Sequence, residues 1–398
     1  VISETKNNNN IRNDAEKKIY ISSIEIRELN GSNTADLLEK KGGVSVQRSQ
    51  LGGGSPNIRG FEANKILLMI DGVRLNNAIY RSGHLQNIIT IDEHILDDVE
   101  VVFGPSSVLY GSDALGGTIH MKTKELYFKS QAEWSGNILS SYSSSSDNIK
   151  NHLSFSFESQ YYSTITSFSF KQFGDLKMGS CRSHGYDDWG LVYHYIDNDG
   201  IVCNDDPEIQ RGTGYKQYDF FNKMILKTGD NSRITTNIQY SLSSNIPRFD
   251  QLNDGDSMCV LDSIGSCLSG ENLKFHSYYY GPQERFFSSL KFNLFDCYFD
   301  KTDIILSYQK IKESRNKWKL EDFLIFNANE DQGSDLDQIN QSESVDVYGV
   351  NINLKKGDFF FGSETHYNNV ASTSSSNANA NAIEDTRYPS QGSSLFSS

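Results

Sequence analysis

SPNIRGFEANKILLMIDGVRLNNAIYRSGHLQNIITIDEHILDDVEVVFGPSSVLYGSDALGGTIHMK runs from Ser55 to Lys122, and the reading of the fold starts here. Glycines punctuate it at Gly60, Gly72, Gly83, Gly104, Gly111, Gly116 and Gly117. Short apolar runs lie between them: Ile66–Ile70, Val99–Phe103 and Thr118–Met121. Each is too short for a helix and is bounded by turn residues, so each is expected to be a strand. Asp71-Gly72 reads as a hairpin turn, which gives Asp71 a structural role. The stretch is a small mixed α/β unit.

Upstream, residues 1–18 are polar and Asn-rich and read as a flexible lead. Ile19-Tyr20-Ile21 is strand-like. In the segment Ser32–Gly43, Ser32 or Asn33 can cap a helix, Asp36 falls in its first turn, Leu37 and Leu38 face inward, and Gly42 stops it. Val44-Ser45-Val46 is a short strand and Gly52-Gly53-Gly54 a turn. The glycine runs do not make a nucleotide site. LGGGSPN lacks the Gly-Lys-Ser/Thr ending of a phosphate-cradling loop, and GPSSVLYGSDALGG lacks the Gly-x-Gly-x-x-Gly spacing.

From about Gln131 the pattern changes to two-residue alternation. Ile234, Ile238, Tyr240 and Leu242 share one face, as do Tyr348, Val350, Ile352 and Leu354, and Phe286, Leu290, Phe292 and Leu294. Ile304, Leu306 and Tyr308 repeat the theme. These are strands of about ten residues, the length a tilted strand needs to cross a bilayer. Connections alternate between short turns, near 159–163, 229–232, 299–302 and 356–358, and long loops, roughly 174–216, 245–284, 312–342 and 371 onward. Short turns on one side and long loops on the other favour a transmembrane barrel over a soluble sandwich. About nine such strands are expected, with the last stretch, from Ser374, read as loop. An odd, open set cannot close a bacterial barrel, so the sequence reads as truncated at its C-terminus.

The bulk numbers agree. The chain has 398 residues, a net charge of −14, 21 Tyr, 23 Phe and 6 Pro. The acidity excludes a nucleic-acid partner, which needs a basic face. Few prolines suit a strand-rich chain. Mean hydropathy is −0.52, which a barrel tolerates because its strands alternate. Val1 is not a start methionine and no signal peptide precedes it, as in a mature or trimmed form. Of five cysteines, Cys181 and Cys203 share one loop and Cys259 and Cys267 another, with Cys297 left over. Two loop disulfides in an oxidising compartment and five free thiols both fit.

The Ser55–Lys122 stretch resembles the plug domain of TonB-dependent outer-membrane receptors. Asn57-Ile58-Arg59-Gly60-Phe61, Leu68–Val73, Val99–Pro105 and Leu109–Gly117 carry the resemblance, with the helix Thr34–Glu39 before Gly43-Val44. The resemblance covers residues 1 to about 125. It implies an α+β plug followed by an antiparallel transmembrane β-barrel of about 22 strands with a plugged lumen. The expected layout is a lead with part of a TonB-binding box at 1–18, a plug at 19–127 and barrel wall at 128–398. It also implies no enzyme activity; no Gly-x-Ser-x-Gly nucleophile motif is present.

The resemblance assigns candidate roles. Arg59 and Glu100, the charged residues inside the best-matching motifs, are expected to hold plug to barrel. Val1-Ile2-Ser3 resembles the tail of the box that TonB, with its inner-membrane energising complex, captures by strand addition. Residues 77–87 are most similar to the haem/haemoglobin/transferrin-type branch. There Tyr80, Arg81 and His84 are the ligand-binding candidates: His and Tyr can ligate haem iron, and Arg can pair a carboxylate. The cargo would be haem or another iron complex, free or on a carrier protein. A siderophore, cobalamin or a glycan is the alternative, and an adhesive barrel without transport is the alternative of another class. No resident cofactor or metal is expected. The loop acids Asp197, Asp199, Asp205 and Asp206 are oxygen-rich but fail the spacing of a calcium loop and read as solvated.

Overall fold

In the computed structural model, residues 17–48, 51–80, 87–104, 110–181, 183, 185–186, 189–197, 200–253, 273–328, 338–376 and 391–397 are described. Two bodies of structure follow one another in the chain.

The first is a five-stranded sheet of β1 (Lys18–Ser22), β2 (Ile66–Ile70), β3 (Val73–Arg74), β4 (Leu96–Phe103) and β5 (Gly117–Thr123), ordered β1-β4-β5-β2-β3. Only the β2/β5 pair is parallel. Asp71 (φ 47°) and Gly72 (φ 86°) turn β2 into β3, the positive-φ pair that a two-residue hairpin requires. Helix α1 (Ser23–Leu29) starts at a capping box in which Ser22 and Glu25 satisfy each other's backbone groups. Helix α2 (Thr34–Lys41) is capped by Asn33, whose Oδ1 accepts from Asp36 N at 3.0 Å, and ends at Gly42. Leu37 and Leu38 are buried. The β2 run Ile66–Ile70 is buried throughout, as a central strand covered on both faces should be.

The second is a wall of ten consecutive antiparallel strands: β6 (Glu133–Ser143), β7 (Asn148–Glu158), β8 (Tyr162–Phe173), β9 (Tyr215–Gly229), β10 (Ser232–Ser243), β11 (Glu284–Phe295), β12 (Lys301–Lys319), β13 (Ile339–Lys356), β14 (Phe359–Ser376) and β15 (Gln391–Ser397). That is one more than the alternation suggested. The extra strand, β15, lies in the tail read as loop, where Gln-Gly-Ser-Ser-Leu-Phe-Ser offers little contrast between faces. The long connections carry structure of their own. Phe275–Tyr280 pairs both Ile246–Pro247 and the upper end of β12, and a helix, α3 (Leu320–Ala328), follows β12. Among the described residues, no helix is long and apolar enough to cross a membrane.

The wall is inside out relative to a soluble sheet. On β8, Ser163, Ser167, Ser169 and Lys171 are buried, while Phe168 on the opposite face is 53% exposed. Trp134 and Ile138 on β6 are 76% and 79% exposed, whereas Gln309 on β12 and Glu343 on β13 are fully buried. A water-soluble sandwich would place these groups the other way round. Aromatic rings continue from strand to strand on the outer face: Phe168–Phe220, Tyr308–Tyr348 (both 5.1 Å between centres) and Tyr348–Tyr367 at 6.3 Å. An apolar outer band with aromatic girdles and a polar inner face is the pattern of a barrel wall in lipid.

The first body packs on the polar inner face of the second. Plug residues Ile88, Ile89 and Ile119 share a buried cluster with wall residues Ile165, Phe221, Phe287 and Ile305. Ile79 packs with Ile311, Val345, Val347 and Val370. Gly52 packs against the connection that follows β10: a Cβ there would lie 2.5 Å from Ile246 Cγ2, so glycine is required unless Ile246 shifts.

Candidate functional site

The segment Ile91-Asp92-Glu93-His94-Ile95 enters β4 through a short 3₁₀ turn. Asp92 caps the turn by accepting from His94 N at 3.2 Å. The flanking isoleucines are buried and draw the charged residues between them against the wall. There they meet the cations of the inner face. Lys171 Nζ lies 2.8 Å from Asp92 Oδ1, 2.5 Å from Glu93 Oε2 and 3.5 Å from Asp219 Oδ2. Lys150 Nζ donates to Gly31 O at 2.6 Å and to Glu93 Oε1 at 3.3 Å. Ser169 Oγ donates to Asp92 Oδ2 at 2.5 Å. Burial alone would raise both plug carboxyls. The Lys171 ammonium overrides it, helped at Asp92 by the neighbouring histidines and at Glu93 by His94 and Lys150, and holds both below the usual carboxylate range. Burial pushes the His94 imidazole down.

Two further contacts repeat this arrangement. Asp71, at the hairpin, accepts from Thr123 N at 2.9 Å and from Asn237 Nδ2 at 2.7 Å, and pairs with Lys223 at 3.2 Å. Burial would raise its carboxyl, but Lys223 and Thr123 hold it low. The turn assignment was therefore incomplete: Asp71 also joins plug to wall. Arg74 Nε reaches Glu364 Oε1 at 3.4 Å from β14, while its other nitrogens hold the Tyr110 and Ser112 carbonyls at 2.9 Å. Gln217, Gln309 and Asn351 donate from the wall to the plug carbonyls of Ile89, Arg74 and Gly72 at 2.9, 2.8 and 3.0 Å.

The residues singled out in the sequence sit elsewhere. Arg59 is exposed, in a positive-φ turn (φ 52°), with its guanidinium 5.4 Å from the centre of the Phe103 ring. Glu100 pairs with Lys18 of β1 at 3.5 Å. Both contacts lie inside the plug: the partners are Lys18 of β1 and Phe103 of β4. Among the described residues, the plug–wall contacts are made by Asp92, Glu93, Asp71 and Arg74. Tyr80 is half-buried against the Ile79 cluster. Arg81 and His84, and Val1, Ile2 and Ser3, lie outside the described residues. Of the loop acids, Asp206 pairs with Lys177 at 3.2 Å and caps Glu208 N at 3.1 Å, Asp205 is exposed, and Asp199 is outside the described residues. Cys203 is disulfide-bonded, while Cys181 and Cys297 are free and exposed, so the bond does not join Cys203 to the other cysteine of its loop.

A plug whose buried carboxylates are anchored on the inner face of a lipid-facing wall is a specific architecture, and residues 12–118 match the TonB-dependent Receptor Plug Domain. Residues 12–118 are the plug domain of a TonB-dependent receptor. Its wall strands belong to the outer membrane of a Gram-negative cell. The plug region is 40% identical over 105 residues to a vitamin B12 transporter of Vibrio vulnificus, covering 26% of this chain and 17% of that protein. It is 38% identical over 98 residues to the heme/hemopexin utilization protein C of Haemophilus influenzae, covering 23% and 12%. In fold, the chain is similar to the Serratia marcescens hemophore receptor HasR, with a TM-score of 0.64, 14% identity, and 92% of this chain and 47% of that one covered. It is also similar to the ferripyoverdine receptor of Pseudomonas aeruginosa, with a TM-score of 0.60, 14% identity, and coverage of 96% and 45%. The chain thus spans under a fifth of the curated relatives it matches and about half of these structures.

Proposed function

We propose that this TonB-dependent receptor takes a scarce ligand across the outer membrane by energised uptake, with haem or another iron complex as its cargo. The observation that supports transport is the plug–wall interface. Beside the apolar contacts around Ile89 and Ile79, buried and ionised plug carboxylates pair with wall lysines, and such polar contacts can be exchanged for others. TonB would pull at Val1-Ile2-Ser3, at the end of the polar lead, by strand addition.

Cargo contact is assigned to Tyr80 and, next to it in the sequence, Arg81 and His84. Phenolate or imidazole on iron, and guanidinium on a carboxylate, suit a haem-like ligand. The local likeness to the heme/hemopexin protein supports this choice. The likeness of the same plug to a vitamin B12 transporter supports cobalamin as a second reading.

Deleting residues 1–18 from the full-length receptor is expected to stop energised uptake while ligand binding survives. Uptake that persists in the deletion contradicts TonB coupling. Titration of the full-length receptor with haem is expected to shift the Soret band, and His84→Ala to abolish the shift. No Soret change, together with tight cobalamin binding, selects the second reading.

A further inference from the structure

Arg285 is a buried cation that no described carboxylate balances. It is the second residue of β11, faces the plug and is 5% exposed. Its guanidinium lies over the Phe287 ring, 5.2 Å from the centre, and Nη1 donates to Gln239 Oε1 at 3.0 Å. Nη2 is buried and has no hydrogen-bond partner. Asp219 stands in the same row of the wall, two strands away across Ser241, but it is held by Gln217 at 2.9 Å and by Lys171 at 3.5 Å. A guanidinium stays ionised, and a buried charge is costly without an anion beside it, so Nη2 is an open position for one.

The place of Arg285 says where that anion comes from. The connection into β11 is one of the long ones, so Arg285 sits at the loop end of the wall, the outer side in a barrel of this kind. The plug segment that carries the cargo candidates reaches the wall on both sides of it. Asn87 Nδ2 donates to Gln283 Oε1 at 2.5 Å. Tyr80 packs on the cluster that holds Ile311, the residue opposite Arg285 on β12.

Arg285 also heads a chain of hydrogen bonds that ends on the plug. Gln239 Nε2 donates to Asn237 Oδ1 at 3.2 Å, and Asn237 Nδ2 donates to Asp71 Oδ2 at 2.7 Å. The two ends fix the sense of the chain. An arginine only donates and an ionised carboxylate only accepts, so both amides must turn their oxygens toward Arg285 and their nitrogens toward Asp71. Bonds aligned in one sense between a cation and an anion strengthen one another. Asp71 anchors the plug hairpin, so the chain links the loop end of the wall to an anchor of the plug.

We propose that Arg285 receives a carboxylate of the cargo on Nη2, and that Gln239 and Asn237 pass its arrival to Asp71. The proposal rests on the haem reading above, since haem carries two carboxylates beside its iron. An anion at Nη2 neutralises the charge that aligns the chain and draws the guanidinium from Gln239, which weakens the hold of Asn237 on Asp71. The coupling is reciprocal: the chain competes with the anion for Arg285, so cutting the chain strengthens the anion's hold.

The test compares haem with its dimethyl ester, which keeps the iron and loses both carboxylates, on the purified full-length receptor. Wild type is expected to bind haem at least about tenfold tighter than the ester, and Arg285→Gln to bind the two alike. Gln239→Leu keeps the cation, cuts the chain and is expected to tighten haem binding about fivefold. Haem, but not the ester, is expected to speed hydrogen exchange of the peptide spanning Asp71–Arg74, and Gln239→Leu to remove that effect. An undiminished preference for haem in Arg285→Gln overturns the proposal. Should that variant fail to fold, unchanged or weaker haem binding by Gln239→Leu overturns it. Haem and ester bound alike by wild type overturn it and leave the haem reading standing, whereas binding of neither overturns both.

Discussion

Lys171 Nζ touches Asp92, Glu93 and Asp219 at a position with almost no solvent exposure. Removing one partner of a buried ionic group leaves the others uncompensated, at a cost of about 3–5 kcal/mol. Lys171→Ala is therefore expected to destabilise the plug by roughly that amount in denaturant unfolding, and adding Asp92→Asn and Glu93→Gln to recover much of it. A loss under about 1 kcal/mol would mean that the network is exposed or slack. His94 gives a pH signature. Its folded-state value is pushed below the ordinary one by burial, so the unfolded chain takes up the proton first as pH falls below about 6.5. Stability then falls with falling pH by at most about 1.4 kcal/mol per unit, and His94→Gln should flatten that slope. These residues were visible in the sequence as four acids, Asp92, Glu93, Asp97 and Asp98, set among buried isoleucine and leucine. The choice of Arg59 and Glu100 went to the charges inside the family motifs instead. The missing signal was a partner: Lys171 follows Ser167 and Ser169 on the polar face of β8, and a lysine on an inward face needs a carboxylate opposite it.

At the scale of elements, two-residue alternation identified the wall because the contrast between faces is strong in most strands. Phe168 and Phe170 face outward between Ser167, Ser169 and Lys171, which face in. A charge on the outer face should be expensive. Phe168→Lys is expected to cost about 2–4 kcal/mol when folding is measured in lipid vesicles, if the site lies near mid-bilayer. Ser167→Ala, on the inner face, is expected to cost under about 1 kcal/mol. Equal costs would contradict the assigned orientation. Pattern failed where contrast fades, in the Ser- and Gly-rich β15, and where a loop folds on its own, as in α3. The plug hairpin at Asp71-Gly72 was legible because two positive-φ positions demand those residue types. The second role of Asp71 was not, because it depends on Lys223 and Asn237, more than 150 residues away.

For the whole molecule, the defining relation is between plug and wall. The family was legible from short motifs in the plug, whereas the pairing of plug carboxylates with wall lysines required both bodies at once. Gly52 of the plug and Ile246 of the wall offer a direct probe. A Cβ on Gly52 would sit 2.5 Å from Ile246 Cγ2, so cysteines at both positions can bring their sulfurs together where the isoleucine side chain now lies. In the double variant Gly52→Cys/Ile246→Cys, in otherwise intact full-length receptor in membranes, oxidation is expected to form the crosslink in nearly every molecule and to stop energised uptake. Ligand binding should survive, and reduction should restore uptake. Absence of the crosslink, or uptake at the uncrosslinked rate while it is in place, would contradict a plug that is seated against this wall and must shift to pass its cargo.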